Sequence, residues 1–310
     1  MSLGYYWRGA YLEEKCQKSV TIQDNKDHVV MPEALYRCFT METLTINNSI
    51  EIIGANAFRD CIKLTSVSLP TELVEIGSGA FRNCSKLTKI VVPDKVYKIG
   101  TYAFWAMPAL TTLSLPEALT TGNVWLSNSY NVVMSVSNKT GTALHSTDST
   151  GKFLFKHDRT VLIYVASKST VSLSDLPKET TNLYQYSLSA CNWSSVTIPS
   201  QVTTMGAFLF EGSTKVKNIK IGAGVTKIDG ACFQNCKKVT AFTVDSGNKD
   251  FKAVDGIIYN YNKSQLMFYP TAKTPTSTTM TLPDELQGFA SCPFPVGLKI
   301  SHFRFTTQQK

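Results

Sequence analysis

Several classes of function are disfavoured by what this sequence lacks. It has only four histidines, and none stands beside another histidine or a recognisable nucleophile motif. No Gly-x-Ser-x-Gly, phosphate-loop, His-Glu-x-x-His or dinucleotide-binding pattern is present. The nearest approach to His–Asp chemistry is KHDRT at 156–160, and this stretch occupies the turn of a predicted hairpin. We therefore predict no catalytic residue, no metal site and no cofactor, and we expect a protein that is not an enzyme.

Long apolar runs and blocks of like charge are also missing. Mean hydropathy is −0.06, and no window approaches the roughly 18 apolar residues of a membrane-spanning helix. The net charge of +8 comes from scattered lysines without a basic stripe or reader motif, so nucleic acid is not a predicted partner. The start, MSLGYYWRGA, has neither the cationic nor the apolar region of an export signal. Two alternatives stay open: an intracellular protein, or an exported one whose signal is not part of this chain.

What the sequence does contain is a block that recurs every 23 residues. AFRDCIKLTSVSL begins at Ala57, AFRNCSKLTKIVV at Ala80 and AFWAMPALTTLSL at Ala103, each followed by proline. The shared pattern is A-F-x-x-C-x-x-L-x-x-V-x-L-P, followed by a short stretch that ends in Ile-Gly in the first two copies. Periods of this length are typical of solenoids, in which each copy, here called a rung, stacks on the next.

Each repeated letter has a physical role. The V-x-L pair alternates with period two, as in a strand with one buried face, and proline ends the strand because it lacks an N–H. The Phe column fills the interior, so Phe58, Phe81 and Phe104 are predicted to stack. The glycines at 54, 77, 100 and 206 are predicted to allow positive φ or close backbone approach.

The register extends to about nine rungs. SVTI at 19–22 is predicted to be an opening cap strand, and the last rung is assigned to Phe289, Cys292, Leu298 and Ile300. Two interruptions, FLFKHDRTVLIY (153–164) and IIYNYNKSQLMF (257–268), align with each other without gaps. Each has two β-rich runs around a polar turn and is predicted to form a hairpin.

This pattern resembles the BspA-like class of leucine-rich repeat proteins from about residue 19 to 305. The resemblance implies an α/β repeat solenoid, a right-handed coil with a parallel β-sheet on its concave wall and two β-hairpin insertions. The predicted organisation is an N-terminal cap (1–33), repeat block 1 (34–138), a linker with the first hairpin (139–176), repeat block 2 (177–250), the second hairpin (251–281), and a final repeat with a C-terminal cap (282–310).

The eight cysteines follow the repeat. Cys38, Cys61, Cys84, Cys191, Cys236 and Cys292 share one column, Cys232 takes the Ala column, and Cys16 lies outside the repeat. A column shared with Met107 indicates a small buried slot, which a free cysteine fills as a small hydrophobe. We therefore expect free buried thiols rather than disulfides or zinc ligands.

Two sets of variable residues are candidate binding surfaces. The first comprises outward strand positions on the predicted concave face: Thr43, Thr45, Ser66, Ser68, Lys89, Val91, Thr112, Ser114, Ser195, Thr197, Asn218, Lys220 and Thr243. The second is a basic patch: Lys215, Lys217, Lys227, Lys237 and Lys238. Hydroxyl residues also suit any solvated sheet face, and lysines any solvated surface, so both sets have a purely structural interpretation as well.

The family resemblance implies an adhesion or binding module of a secreted or cell-surface protein, with a host or neighbouring-cell protein or glycan as partner. Such a module is expected to be monomeric. The alternatives are a structural spacer without a ligand, a cytoplasmic location, and an enzyme with a pocket near the hairpins or at 139–151. Analogy between folds is a weaker warrant than a site, so the function needs evidence from the structure.

Overall fold

The computed structural model describes residues 16–120, 126–127, 132–141, 143, 145–166, 172–273, 279–290 and 302–305. The chain divides into two compact units, unit 1 (residues 1–169) and unit 2 (residues 170–310). Each unit consists of short strands connected by turns. The strands are numbered in chain order. Among the described residues the only helical segment is one 3-10 turn at Leu173–Asp175.

Strands that carry the V-x-L pair form the first column of unit 1. They are β1 (Ser19–Ile22), β3 (Thr43–Ile46), β5 (Ser66–Ser68), β7 (Lys89–Val91), β10 (Thr112–Leu115) and β12 (Val133–Val136). They pair in parallel as two sheets, β1-β3-β5 and β7-β10-β12. Their alternating letters place one residue inside and the next outside, which confirms the period-two interpretation.

The remaining strands of unit 1 form further columns. The second column, a parallel sheet, is β2 (Val29–Val30), β4 (Ile52–Ile53), β6 (Glu75–Ile76) and β8 (Lys98–Ile99). A short parallel pair joins β9 (Phe104–Trp105) to β11 (Leu126–Ser127). An antiparallel sheet contains β13 (His145–Thr147), β14 (Phe153–Lys156) and β15 (Val161–Val165).

Unit 2 repeats this plan. Its first column has β17 (Ser195–Thr197), β19 (Asn218–Ile221), β21 (Ala241–Val244), β25 (Thr279–Leu282) and β27 (His302–Phe305). Its second column has β16 (Asn182–Leu183), β18 (Thr204–Met205) and β20 (Lys227–Ile228). The second insertion has β22 (Phe251–Val254), β23 (Ile257–Asn260) and β24 (Gln265–Phe268), with β26 (Gly288–Phe289) parallel to β24.

The stacked repeat solenoid is thus confirmed, with turns where helices were expected. Among the described residues there are eleven first-column strands, against the predicted nine rungs and opening cap strand. The assignment of the last rung was wrong. β27 pairs in register with β25, so Phe303 and Phe305 take the V-x-L positions. Phe289 instead lies in β26 beside Leu266 and is 44% exposed. Cys292, Leu298 and Ile300 lie outside the described residues.

The Phe column stacks in the core of unit 1, as predicted. Phe58, Phe81 and Phe104 are fully buried, with successive ring centroids 5.2 and 6.1 Å apart. In unit 2, Phe210 and Phe233 stack at 5.8 Å. Tilted and stacked aromatic pairs at such distances add to the free energy gained by burying their area.

The glycine column serves close approach between rungs. A Cβ added to Gly77 would lie 2.6 Å from the backbone nitrogen of Ala55, and one added to Gly54 would lie 2.4 Å from that of Pro32. These glycines do not have positive φ. Left-handed residues instead precede the Ala column and the Cys column, as at Asn56 (φ 55°) and Asp60 (φ 62°). Asn and Asp tolerate this conformation better than most residues.

The Cys column has a role that the sequence did not indicate. The thiols of Cys61, Cys84 and Cys236 each donate to the carbonyl 26 residues earlier, at 3.2, 3.3 and 3.1 Å. Ser213, in the same column, donates to the carbonyl of Leu188 at 3.2 Å. In these four rungs the slot therefore holds a small buried donor that joins one rung to the preceding rung.

The expectation that all cysteines are free was wrong for one pair. Cys16 and Cys38 form a disulfide with Cα atoms 5.6 Å apart, a separation that lies within the usual range. Cys16 lies outside the repeat, so its Cβ is not constrained to point in the same direction as that of a stacked neighbour. The thiols of Cys61, Cys84, Cys191, Cys232 and Cys236 are free and buried.

Both predicted hairpins are present, and their turns match in detail. The amides of Arg159 and Lys263 each donate to the carbonyl three residues earlier at 2.9 Å, and both residues have positive φ. Asp158 and Asn262 each accept from the amide two residues later, at 3.0 and 3.1 Å. Side chains of this kind stabilise turns by imitating a backbone hydrogen bond.

Candidate binding surface

The first-column candidates all reach the surface. Eleven of the thirteen are exposed, and Thr112 and Ser114 are half-buried. In unit 1 the pairing brings them together in rows across neighbouring strands, for example Thr43 beside Ser66 and Lys89 beside Thr112. Most letters shared by the rungs face inward, so the variable positions supply most of the surface that a ligand can contact on this face.

In unit 2 the same positions form two rows. Ser195 lies beside Asn218, and Thr197 lies beside Lys220, which in turn lies beside Thr243. Lys220 is ion-paired with Asp245, with 3.2 Å between Nζ and Oδ2. Its charge is therefore partly neutralised by a neighbour in the same unit.

The structure separates one lysine of the basic patch from the other four. Lys215 and Lys217 precede β19, and Lys237 and Lys238 precede β21, so these four exposed side chains lie on adjacent rungs. Lys227 lies in the second column, where it pairs with Thr204. The patch therefore contains four neighbouring charges rather than five.

One joint in the first column of unit 1 is open. Backbone pairing joins β1 to β3, β3 to β5, β7 to β10 and β10 to β12, whereas no pairing joins β5 to β7. The repeat supplies the expected bonds: the amide of Thr111 donates to Thr88 at 2.8 Å, and that of Val92 to Ser114 at 2.9 Å. Among the described residues, the equivalent bonds one rung earlier, from Thr88 to Thr65 and from Leu69 to Val91, are absent.

A groove of about 730 Å³ lies over this open joint, hereafter the β5/β7 joint. Its volume is within the roughly 300–1,000 Å³ of typical ligand sites. Four predicted residues line it: Ser66, Ser68, Lys89 and Val91. The others are Thr65, Val67, Leu69, Thr71, Glu72, Thr88, Pro93, Asp94 and Lys95, which sequence reasoning missed.

The groove combines aliphatic walls with charged ends. Val91 is 51% exposed, and Val67 is half-buried although the equivalent residues of β3 and β7 are buried. Beyond the end of the strands, Glu72 binds Lys95 and Asp94 binds Lys139. Exposed ion pairs of this kind contribute little to stability and are easily rearranged by a ligand.

Aromatic side chains of unit 1 gather on the turns rather than on the first column. The guanidinium of Arg59 lies 5.4 Å from the ring centroid of Tyr36, and that of Arg82 lies 5.8 Å from that of Tyr102. Tyr102 also contacts Trp105 edge to face at 4.8 Å. These half-buried side chains already have mutual partners, so the open groove is the better candidate site.

The described residues contain no constellation with catalytic or metal-binding geometry. No cluster of three or more His, Cys, Asp or Glu within them is placed to hold a metal ion. In the 156–160 turn, Asp158 accepts hydrogen bonds from Thr160 while His157 is exposed. Burial raises the pKa of the Cys61 thiol to about 12 and that of Cys191 to about 11, which makes both poor nucleophiles near neutral pH.

Within the part of the chain that the structure describes, no helix has the length and apolar character to cross a bilayer.

Comparison with known proteins identifies the family. The family model described as "BspA type Leucine rich repeat region" matches in six copies, over residues 28–140 and 165–261. Curated proteins gave no match to the chain. A leucine-rich repeat protein from Eubacterium ventriosum is 15% identical, with a TM-score of 0.60 over 94% of this chain and 85% of that one.

The pneumococcal vaccine antigen PcpA is 16% identical, with a TM-score of 0.51 over 86% of this chain and 75% of its own. At such identities the structural likeness establishes the fold alone. The family model covers more than half of the sequence, and its repeats coincide with the stacked strands of both units. The chain therefore belongs to the BspA-type leucine-rich repeat family.

Proposed function

We propose that the chain is a non-enzymatic binding module that recognises a protein through the β5/β7 joint, as the adhesive segment of a secreted or cell-surface protein. The open joint is the observation that carries the proposal. A column whose sole task is to stack rungs has no reason to leave one joint without its backbone hydrogen bonds. Membership of the family and the likeness to a vaccine antigen support the proposal.

A ligand in this groove would meet chiefly residues that the repeat leaves free to vary, together with Val67, Leu69 and Pro93 of the repeat pattern. The shared letters at Phe58, Leu64, Phe81 and Leu87 are fully buried. The groove therefore allows a binding specificity to change without changing the fold, because function resides in a site carried by the scaffold.

Binding of the full chain to a panel of immobilised extracellular-matrix proteins and glycans tests this proposal. Ser68→Trp fills the groove from an exposed position, and Thr197→Trp is the matched control at an exposed position of β17, which pairs with β19 in unit 2 and does not line the groove. We expect saturable binding to a protein of the panel that Ser68→Trp abolishes and Thr197→Trp preserves. Saturable binding to glycans alone, binding equally sensitive to both variants, or no binding would overturn the proposal, the last outcome favouring a structural spacer.

A further inference from the structure

We infer that the β5/β7 joint binds an extended polypeptide segment of its partner, whose main chain pairs with the free edge of one of the two strands. This inference rests on the proposed function and names the ligand class of that site. A row of unpaired N–H and C=O groups is a template for a further strand, and strand addition is a recurrent mode of peptide recognition.

The free groups follow from the geometry of the repeat. One rung later, the amides of Val92 and Thr111 are satisfied by neighbouring carbonyls, at 2.9 and 2.8 Å. At the joint, the amides of Leu69 and Thr88 have no such bond to a described residue. Leu69 is half-buried and Thr88 is exposed. An unpaired main-chain group that is shielded from water costs free energy, so a ligand that supplies a partner for the amide of Leu69 would be favoured.

The opening is local and is closed at both ends. Before the joint, the hydroxyl of Ser85 donates to the carbonyl of Ile62 at 3.3 Å. After it, the amide of Tyr97 donates to the carbonyl of Val74 at 3.1 Å, and β6 pairs with β8. The gap thus runs from 65–69 to 88–92, about 17 Å at ~3.3 Å per residue. This length suits an extended segment of about five residues, and the fixed ends hold the site ready to bind.

The side chains in the groove suit a strand with alternating character. Ser66 and Ser68 are small and leave room, while Val67, Leu69 and Val91 offer aliphatic surface. In strand addition, main-chain bonds supply affinity and contacts to alternate side chains supply specificity. The lining contains no aromatic ring on which a sugar could stack, so a polypeptide fits better than a glycan.

Charge gives the ligand a direction. Lys63 and Lys86 are exposed three residues before β5 and β7, and Lys89 begins β7. Within the described part of the chain these three have no ion pair, whereas the acidic residues at the other end, Glu72 and Asp94, already have lysine partners. The favoured ligand therefore has aliphatic residues at alternate positions and an acidic residue at the end nearest Lys86.

Linear dodecapeptides displayed on phage, selected on the full chain and counter-selected on Ser68→Trp, test the inference. The selected peptide is then synthesised with N-methyl groups at odd or at even positions. N-methylation of the set that faces the strand edge is expected to weaken binding about tenfold or more. A tenfold rise in Kd corresponds to about 1.4 kcal/mol, which is about the free energy that one hydrogen bond contributes. The other set and Thr197→Trp are expected to change binding little.

Equal tolerance of both N-methylated sets, or failure to enrich any peptide, would overturn the inference. If a matrix protein of the panel still binds in a manner that Ser68→Trp abolishes, the proposed function stands and only the extended-peptide mode fails. If no panel member binds either, both fail together.

Discussion

At the residue scale, the repeat letters act through contacts between rungs as well as through hydrophobicity. The Cys column illustrates this, because its thiols and Ser213 make equivalent bonds to the preceding rung. A purely hydrophobic slot would accept Cys, Ala or Val alike, whereas the rungs that make this bond carry Cys or Ser. Rung four, with Met107 in the slot, lacks the bond. The identity of the atom therefore matters, and not only its volume.

Cys84→Ser is expected to be less destabilising than Cys84→Ala. Ser keeps a donor for the carbonyl of Phe58, which the thiol reaches at 3.3 Å, and Ala leaves that acceptor with one bond fewer and a small cavity. The difference should be about 1 kcal/mol in the free energy of unfolding, measured by urea titration. Equal midpoints for the two variants would show that the slot needs only a small side chain.

His145 provides a second prediction at this scale. It is buried in β13, and burial followed by the nearby Lys156 lowers its pKa from 6.5 to about 4, against a hydrogen bond that the ring donates to the backbone of Leu119, which raises the value. As pH falls, His145 is therefore protonated in the unfolded chain before it is protonated in the folded chain. The contribution to stability is complete above pH 6.5 and is lost on acidification toward pH 4, by about 3 kcal/mol.

Urea titrations at pH 7 and pH 4.5 check this, with His145→Gln as the control. The variant should lose less stability than the native chain between the two pH values. Identical losses would mean that other groups account for the acid sensitivity.

At the element scale, the two insertions are related hairpins anchored by different residues. In unit 2 the buried Asn248 accepts from the amides of Asp250 and Phe251, at 2.9 and 2.7 Å. Its amide nitrogen also donates to the carbonyls of Gly222 and Val225, each at 2.9 Å. In unit 1 the half-buried Asp148 only accepts, for example from the amide of Phe153 at 2.8 Å.

Reciprocal substitutions should therefore have unequal effects. Asn248→Asp removes two donors and places a carboxylate against two carbonyls, so it should cost about 3 kcal/mol or more. Asp148→Asn retains an acceptor oxygen for the amides of Lys152 and Phe153 and should cost about 1 kcal/mol. Thermal and urea denaturation of both variants would decide this, and equal losses would contradict the assigned role of Asn248.

Element identity followed from the sequence more readily than element boundaries. The strands, the hairpins and the stack of Phe58, Phe81 and Phe104 follow from the period alone, because a rung must bury its repeated face against a neighbour. The last rung was misplaced because Phe289 and Cys292 have the Phe-x-x-Cys spacing of the repeat, so Phe289 was taken for a core residue.

The roles of some positions also lay beyond the sequence. The glycines at 54 and 77 were correctly expected to permit close approach of the backbone. Positive φ occurs instead at nearby positions such as Asn56, where the residue type changes from rung to rung. Cys16 could not be paired with Cys38 from sequence, since it stands outside the repeat. Nothing in the letters of β5 and β7 distinguishes their joint from the others.

At the scale of the whole molecule, stability and recognition are assigned to different residues. The core is continuous from rung to rung within unit 1, and the second column remains paired where the first column opens. A local opening in a stacked array lowers the stability of the fold only slightly, because each rung depends chiefly on its nearest neighbours. The scaffold can therefore present free main-chain groups while the second-column pairing and the core maintain the fold.

The most direct test is native-state hydrogen exchange of four amides in the unliganded chain. Leu69 and Thr88 face the β5/β7 joint, and Val92 and Thr111 are their hydrogen-bonded equivalents one rung later. The account predicts that Leu69 and Thr88 exchange at least about tenfold faster than Val92 and Thr111, because exchange from the latter requires a local opening. Equal protection of all four amides would mean that the joint is closed, and would contradict the assignment of a binding site there.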